Sequence, residues 1–287
     1  MNILVLGGTR FFGKKLVESL LEEGHNVTIA TRGNTADDFG DRVKRVRLER
    51  TSSESLKEVA DADEWDVVYD NICYSPNDAL YACEAFAGKV KRYIFTSTLA
   101  VYPFGATRNK EEDFNPFTYP IKFGNKSDFD YAEGKKQCEA VFFQKATFPV
   151  CAVRFPIVLG EDDYTRRLEF HSERIAHEME IGMPNIEAII SFIHSNEAAT
   201  FLSWLKDASV EGPINACAGG EISLADLLTR LEEQLGKKAI VIQESTPDNH
   251  SPYGLPDSWY METIKAKNAG FVFTELEDWL GALIRRL

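Results

Sequence analysis

The chain has 287 residues, with 45 acidic side chains against 32 basic ones and a formal net charge of -13. Its length suffices for one large α/β domain or a core with a smaller appendage, and a composition of 44% hydrophobic and 27% charged residues excludes a disordered or fibrous chain. The acidic balance disfavours a protein that lives on phosphate backbones, so nucleic acid is not the expected partner.

NILVLG reads as a first strand and KKLVESLLEEG as a helix ending at Gly24. HNVTIATRG follows as a second strand, VKRVRLER as a third and WDVVYDNIC as a fourth. The basic look of residues 42–50 alternates with Val43, Val46 and Leu48, which fits a strand edge in solvent better than a binding arm. KVKRYIFTSTLAVY reads as a fifth strand and FPVCAVRFPIVLG as a sixth, after a helix containing YAEGKKQCEAVFFQKA. The stretch from Gly160 to Pro184 is polar and mixed in charge, and SFIHSNEAATFLSWLKDA gives a short strand and a helix. A second compositional unit starts near Gly212, with INACAG, the helix SLADLLTRLEEQLG and the strand KKAIVIQE. The loop NHSPYGLPDSW, the segment KAKNAGF and the amphipathic helix TELEDWLGALIRRL close the chain.

This alternation predicts an α/β fold, a doubly wound parallel sheet of Rossmann type with a smaller C-terminal substrate-binding lobe. Residues 1–160, joined by 188–210, are assigned to the dinucleotide-binding core, and 161–187 with 211–287 mainly to the lobe. Cys73, Cys83, Cys138, Cys151 and Cys217 form no CxxC pair. Together with the lack of a basic leader ahead of the first strand and of any membrane-length apolar run, they point to a cytoplasmic protein with no membrane partner. His171 and His177 lack the HExxH spacing, and no metal site is expected.

Gly7, Gly8 and Gly13 lie between a buried strand and an amphipathic helix, where backbone amides and a helix N-terminus can face a pyrophosphate. A tight turn without ligand is the alternative for such a loop taken alone. At the end of the second strand, where an acidic residue would accept from a ribose 2′-hydroxyl, stands Arg32. A guanidinium suits a 2′-phosphate, and Arg10 across the loop can add a second cationic contact, so the expected cofactor is NADP, with NAD as the alternative. Tyr131 and Lys135 lie four apart in a helical pattern and share a face. A cation beside a phenol favours the phenolate, which can move a proton as hydride moves. The plainer alternative is a surface pair contributing roughly 0.2–0.5 kcal/mol.

The set GGTRFFG, TSTLAVY, YAEGK and RFPIVLG, in this order and at these separations, resembles the extended short-chain dehydrogenase/reductase family, also called the NAD-dependent epimerase/dehydratase family. The resemblance spans nearly the whole chain, through FIHSNEAA and KAKNAGFVF. It implies an oxidoreductase, epimerase or dehydratase acting on a small-molecule substrate by hydride transfer. Thr98 then hydrogen-bonds the reacting oxygen, Tyr131 is the general acid/base, and Lys135 supports the phenolate and holds the nicotinamide ribose. Gly7 and Gly13, with Thr9, Arg10, Phe11 and Phe12 between them, match the pyrophosphate site. Glu49 and Arg50 match residues that flank adenine, Asn71 to Tyr74 line the cofactor, and Phe155 to Ile157 lie near the nicotinamide.

Arg10 in place of a middle glycine marks a branch with GGTRF loops, which holds RNA-binding stem-loop proteins as well as reductases and epimerases. Ile190 and Ser191 stand where the sugar-nucleotide epimerases often carry an arginine on the diphosphate. Arg166, Arg167 or Arg174 can replace it, or be helix-surface charges. Phe104, Phe114, Phe117, Tyr119 and Phe123 wall a cleft or pack a long loop, with packing favoured, and His194 fits a hydrogen-bonded structural residue. A homodimer through the helix of Tyr131 would use Val141, Phe142 and Phe143, which suit an ordinary core equally well.

Overall fold

The computed structural model describes residues 1–287. In chain order the first half runs β1 (Asn2–Leu6), α1 (Phe11–Glu22), β2 (Asn26–Thr31), β3 (Lys44–Arg47), α2 (Ser53–Asp61), β4 (Trp65–Asp70), α3 (Pro76–Ala85), β5 (Val90–Thr98) and α4 (Tyr131–Lys145). Next come β6 (Val150–Phe155), β7 (Ile157–Leu159), α5 (Arg167–Ala176), β8 (Glu180–Gly182), β9 (Ile189–Ile190), β10 (Phe192–His194) and α6 (Ser195–Leu205). The chain ends with β11 (Gly212–Asn215), β12 (Ile222–Ser223), α7 (Leu224–Leu235), β13 (Ile240–Ile242), α8 (Ile264–Asn268) and α9 (Leu276–Ile284).

Seven strands form one parallel sheet in the order β11-β6-β5-β4-β1-β2-β3. Successive residues of a strand face opposite ways, and β1 accordingly feeds two cores. Ile3 and Val5 pack with Leu16, Val17 and Leu20 of α1 and with Phe201, Leu202 and Leu205 of α6. On the other side Leu4 and Leu6 meet Leu56, Ala82, Val141 and Phe142 of α2, α3 and α4. The order reverses between β1 and β4, where a ligand crevice forms outside the carboxyl ends of the strands. Paired register puts Leu6 beside Asp70 and Thr98 beside Phe155, so the turns that follow line one edge.

Two expectations are corrected here. The sixth strand is not continuous: Pro156 breaks it, because a proline has no N–H for the ladder. Beyond the break β7 leaves the large sheet and pairs with β10. Gly212–Asn215, grouped with the C-terminal lobe on composition, is instead the seventh strand of the central sheet, beside β6. Its residues carry no local mark of that partner. A separate core joins Leu168 and Ile175 of α5, Ile181, Ile190, four leucines of α7, and Leu280 and Leu283 of α9. No helix is long and apolar enough to cross a membrane.

Candidate active site

Gly7 (φ 95°) and Gly8 (φ 100°) turn the chain at the end of β1 in the left-handed region, which glycine alone adopts freely. A Cβ on Gly8 would lie 2.9 Å from Val5 Cγ1, and one on Gly13 would lie 3.2 Å from Gly8 Cα, so turn and helix pack backbone to backbone. Arg10 is different: its φ of -141° and ψ of 152° are extended backbone, where a side chain costs nothing. The left-handed conformation is taken by Phe11 instead, at φ 51°. That placement costs on the order of 1–3 kcal/mol, offset by a ring that joins the buried core and packs on Phe12.

The N-terminus of α1 has no side-chain cap and no acidic residue in its first turn. Ser52, Ser75, Asp130 and Ser223 cap α2, α3, α4 and α7 in the ordinary way. Facing the same turn is Asn71, whose Oδ1 accepts from Thr96 Oγ1 at 2.7 Å while its buried Nδ2 has no partner. Free amides, a glycine cradle and an orphaned amide donor together fit a pyrophosphate.

Arg32 follows the last residue of β2 and is exposed, as is Arg10, and neither forms an ion pair among the described residues. The nearby acids are occupied: Asp38 pairs with Lys14 at 2.9 Å and Asp37 with Arg45 at 2.5 Å. Glu49 is exposed and its carboxylate accepts from Thr51 Oγ1 at 2.9 Å. Arg50, unlike Glu49, is buried. It is only 5% exposed, its guanidinium donating to Asp70 Oδ2 at 2.6 Å and to the Asp78 carbonyl at 2.9 Å. Tyr93 donates to the same Asp70 oxygen at 2.7 Å. A buried carboxylate demands such partners, and Arg50 supplies them with its two terminal nitrogens while its buried Nε has no partner.

Lys135 is 2% exposed, and its Nζ donates to the carbonyls of Cys73 at 2.9 Å and Thr96 at 2.8 Å. It lies 4.7 Å from the ring centroids of both Tyr74 and Phe95. Of three ammonium donors one remains. Burial pulls the Lys135 pKa down, but Tyr131, ahead of Cys138, Tyr74 and Cys73, reverses this and the net direction is upward. Tyr131 opens α4 directly after its cap Asp130 and is 56% exposed. Thr98, at the end of β5, is buried and accepts from Ala100 N at 3.1 Å, which leaves its O–H free to donate elsewhere. No hydrogen bond joins Thr98 to Tyr131. Tyr74 is half-buried and burial raises its pKa, partly opposed by Lys135. Phe155 packs on Phe12 at 5.7 Å, and Ile157 starts β7.

Sequence reasoning missed Gly134. A Cβ there would lie 2.9 Å from the Tyr74 carbonyl, so only glycine lets α4 close on the turn that Lys135 reaches. A glycine inside a helical run was the available signal. It also missed the pair of Arg154 and Glu139, both fully buried, with Nη2 to Oε2 at 2.6 Å. Ser97 donates to Glu139, and Arg154 donates to Tyr102 Oη at 2.7 Å, so the pair ties α4, β5 and β6 together at the residue before Thr98.

Elsewhere His194 caps α6, its Nδ1 accepting from Asn196 N at 3.2 Å. Ile190 is fully buried and Ser191 Oγ accepts from Met261 N at 3.2 Å, so neither presents a cation. Arg166 pairs with Glu173, and Arg174 donates to the Glu180 carbonyl at 2.6 Å. Phe114 packs on Tyr119, Phe117 on Phe143 and Phe104 on Trp259. Val141 and Phe142 belong to the core, and Phe143 is covered by the chain's own Phe117.

Residues 3–81 match the sequence model of the NAD dependent epimerase/dehydratase family. The chloroplast stem-loop binding protein of 41 kDa b of Arabidopsis thaliana is 32% identical over 114 residues, 35% of this chain and 30% of that protein. The 2′-dehydrokanamycin reductase of Streptomyces kanamyceticus is 31% identical over 107 residues, 37% of this chain and 30% of that protein. Each match thus spans less than a third of the relative's own length. The UDP-glucose 4-epimerase of Thermus thermophilus, solved in complex with NAD, superposes with a TM-score of 0.72 at 19% identity, covering 99% of this chain and 97% of that one.

Proposed function

We propose that this chain, which carries the N-terminal sequence signature and the fold of the extended short-chain dehydrogenase/reductase, or NAD-dependent epimerase/dehydratase, family, is an NADP-preferring enzyme of that kind. Its substrate is a small alcohol or carbonyl compound of sugar type, like the substrate named for the reductase relative. A bound nicotinamide dinucleotide would supply or accept the hydride at the carbinol or carbonyl carbon.

Gly7, Gly8, Gly13 and the uncapped start of α1 would hold the pyrophosphate, with Asn71 Nδ2 as a further donor. Arg10 and Arg32 would bracket a 2′-phosphate. Thr98 would donate its free O–H to the reacting oxygen, and Tyr131 would give or take the proton there. Lys135 has one donor left for a ribose hydroxyl or for the Tyr131 oxygen.

The observation that carries this reading is the buried Lys135 ammonium, fixed by two carbonyls one helical turn below an exposed tyrosine. A buried charge is costly, and a surface helix pair would not need it. The test is turnover of NADPH and NADH with panels of sugar nucleotides and keto-sugars. Tyr131→Phe is expected to lose turnover by about 10²–10⁴-fold while still binding dinucleotide in a fluorescence titration. Undiminished turnover in Tyr131→Phe refutes the relay.

The name of the stem-loop-binding relative favours a second reading, RNA binding. The net charge of -13 opposes it. Filter binding to a stem-loop RNA decides: a weak affinity with a shallow salt dependence removes RNA as a partner.

A further inference from the structure

The segment from Gly160 to Arg166 joins β7 to α5, and both of its ends are held by backbone geometry. At Gly160 a Cβ would lie 2.2 Å from Ser195 Oγ, and Arg166 adopts the left-handed conformation at φ 52°. Between them the chain makes two successive turns, Asp163 N donating to the Gly160 carbonyl at 3.1 Å and Arg166 N to the Asp163 carbonyl at 3.0 Å. Asp163 Oδ1 accepts from Thr165 N at 2.9 Å and stiffens the second turn.

Two side chains of this segment reach the glycine turn and the helix it opens. Asp162 Oδ1 lies 3.3 Å from Lys15 Nζ on α1 and accepts from Ser195 Oγ at 3.2 Å. Lys15 also donates to Asn196 Oδ1 at 2.7 Å, so α1, the segment and the start of α6 are tied at one point. Tyr164 packs edge-on against Phe11, with centroids 6.3 Å apart and planes at 88°, and lies 5.4 Å from the Arg10 guanidinium carbon. The residue is nevertheless 61% exposed. A core role does not explain an aromatic residue that leaves most of its surface in water while touching Arg10, which stands in place of the middle glycine, and Phe11, which takes the left-handed turn.

We propose that residues 160–166 form a strap across the dinucleotide site, with Tyr164 as its latch, and that the latch slows release of bound dinucleotide. The inference rests on reading the glycine turn as a nicotinamide dinucleotide site. A ring stacked on Arg10 holds that guanidinium and Phe11 in place, and a dinucleotide seated on the α1 N-terminus has to leave past them. The latch is one exposed cation–π contact, one aromatic edge contact and one half-exposed ion pair, each of them weak. It retards exchange without preventing it.

The test is stopped-flow fluorescence of NADPH release from the full chain, chased with excess NADP. Tyr164→Ala, which loses both the cation–π and the aromatic edge contact, is expected to release NADPH about five- to tenfold faster than the unsubstituted protein, and Tyr164→Phe, which keeps the ring, to stay within about twofold. Asp162→Asn should speed release by a smaller factor and remove part of its acceleration by salt. If Tyr164→Ala, shown to be folded by circular dichroism, releases NADPH at the unsubstituted rate, the strap is refuted and the dinucleotide site stands. If the unsubstituted protein binds neither NADPH nor NADH in calorimetry, the site and the strap fall together.

Discussion

Arg10 and Arg32 stand in solvent at the rim of the glycine turn, whereas Arg50 and Arg154 lie in the interior with 5% and 0% of their surface exposed. In composition the four are the same residue, and their chemistry has diverged with depth. The interior pair are held in place: Asp70 and the Asp78 carbonyl hold the terminal nitrogens of Arg50, while Glu139, Tyr102 and two further carbonyls hold Arg154. Burial lowers the pKa of each, but Asp70 for the one and Glu139 for the other more than reverse it, so both remain charged. The rim arginines have no acidic partner, which leaves them available to an anion. An arginine near a ligand crevice is therefore evidence of binding only when its guanidinium is unspent.

The largest effect is expected from breaking the interior side of that contrast. Arg154→Met leaves Glu139 charged and unpaired in the core, which costs about 3–5 kcal/mol of folding stability in a urea titration. Adding Glu139→Leu should recover part of the loss, because the isolated charge is gone. Recovery stays incomplete, since the carbonyls of Glu111 and Phe114 lose their donor in both variants. A single variant as stable as the parent would mean that the pair is a passenger.

A buried base in the C-terminal lobe gives a second interior case, kept neutral rather than paired. His171 stacks on Tyr253 at 4.5 Å, with Nδ1 at 2.8 Å from the Arg167 carbonyl and Nε2 at 2.7 Å from Ser251 Oγ. Burial lowers its pKa from 6.5 to about 4, only partly opposed by the Arg167 carbonyl. The folded state thus resists protonation, and the unfolded chain binds the proton first. This contribution to stability is complete above about pH 6.5 and is lost as the pH falls toward 4, by about 3 kcal/mol in all. His171→Gln should flatten that part of the stability profile relative to the parent, and two parallel profiles would contradict the assignment.

Arg32→Asp sharpens the rim side. We expect the ratio of NADPH to NADH affinity to fall by about tenfold to a hundredfold, the worth of a charge-assisted contact. Folding stability should stay within about 0.5 kcal/mol, as for other surface substitutions. Fluorescence titrations with both dinucleotides give the ratio directly. An unchanged ratio would show that the 2′-phosphate is not read at this position.

What was legible in the sequence follows the same division by range. The glycine turn, the helix of Tyr131 and Lys135, and the first five strands are local patterns of period and punctuation, and they stand where the residues put them. Long-range partners were hidden. The tie of Arg50 to Asp70, 20 positions away across α2 and β4, has no local mark in the sequence. Gly212–Asn215 looks like lobe because nothing in four residues names β6 as its neighbour. The Arg154–Glu139 pair is invisible for the same reason, and so is Tyr164, whose only distinction is the turn it lies against.

The smallest expected effect addresses the residue that departs most plainly from the glycine pattern. Arg10→Gly restores the middle glycine, and a reading by motif alone would expect it to relax the turn. Position 10 is extended, however, at φ -141° and ψ 152°, so glycine gains nothing there and adds freedom to the unfolded chain. We expect a loss of roughly 0.5–1 kcal/mol from that entropy, to which the lost contact with Tyr164 adds about 0.5 kcal/mol. Arg10→Ala forfeits the same contact without the entropy term and should be the more stable of the two in a thermal or urea titration. If Arg10→Gly proves more stable than Arg10→Ala, the left-handed residue of this turn is 10 and not Phe11, and the explanation of why an arginine is tolerated there fails.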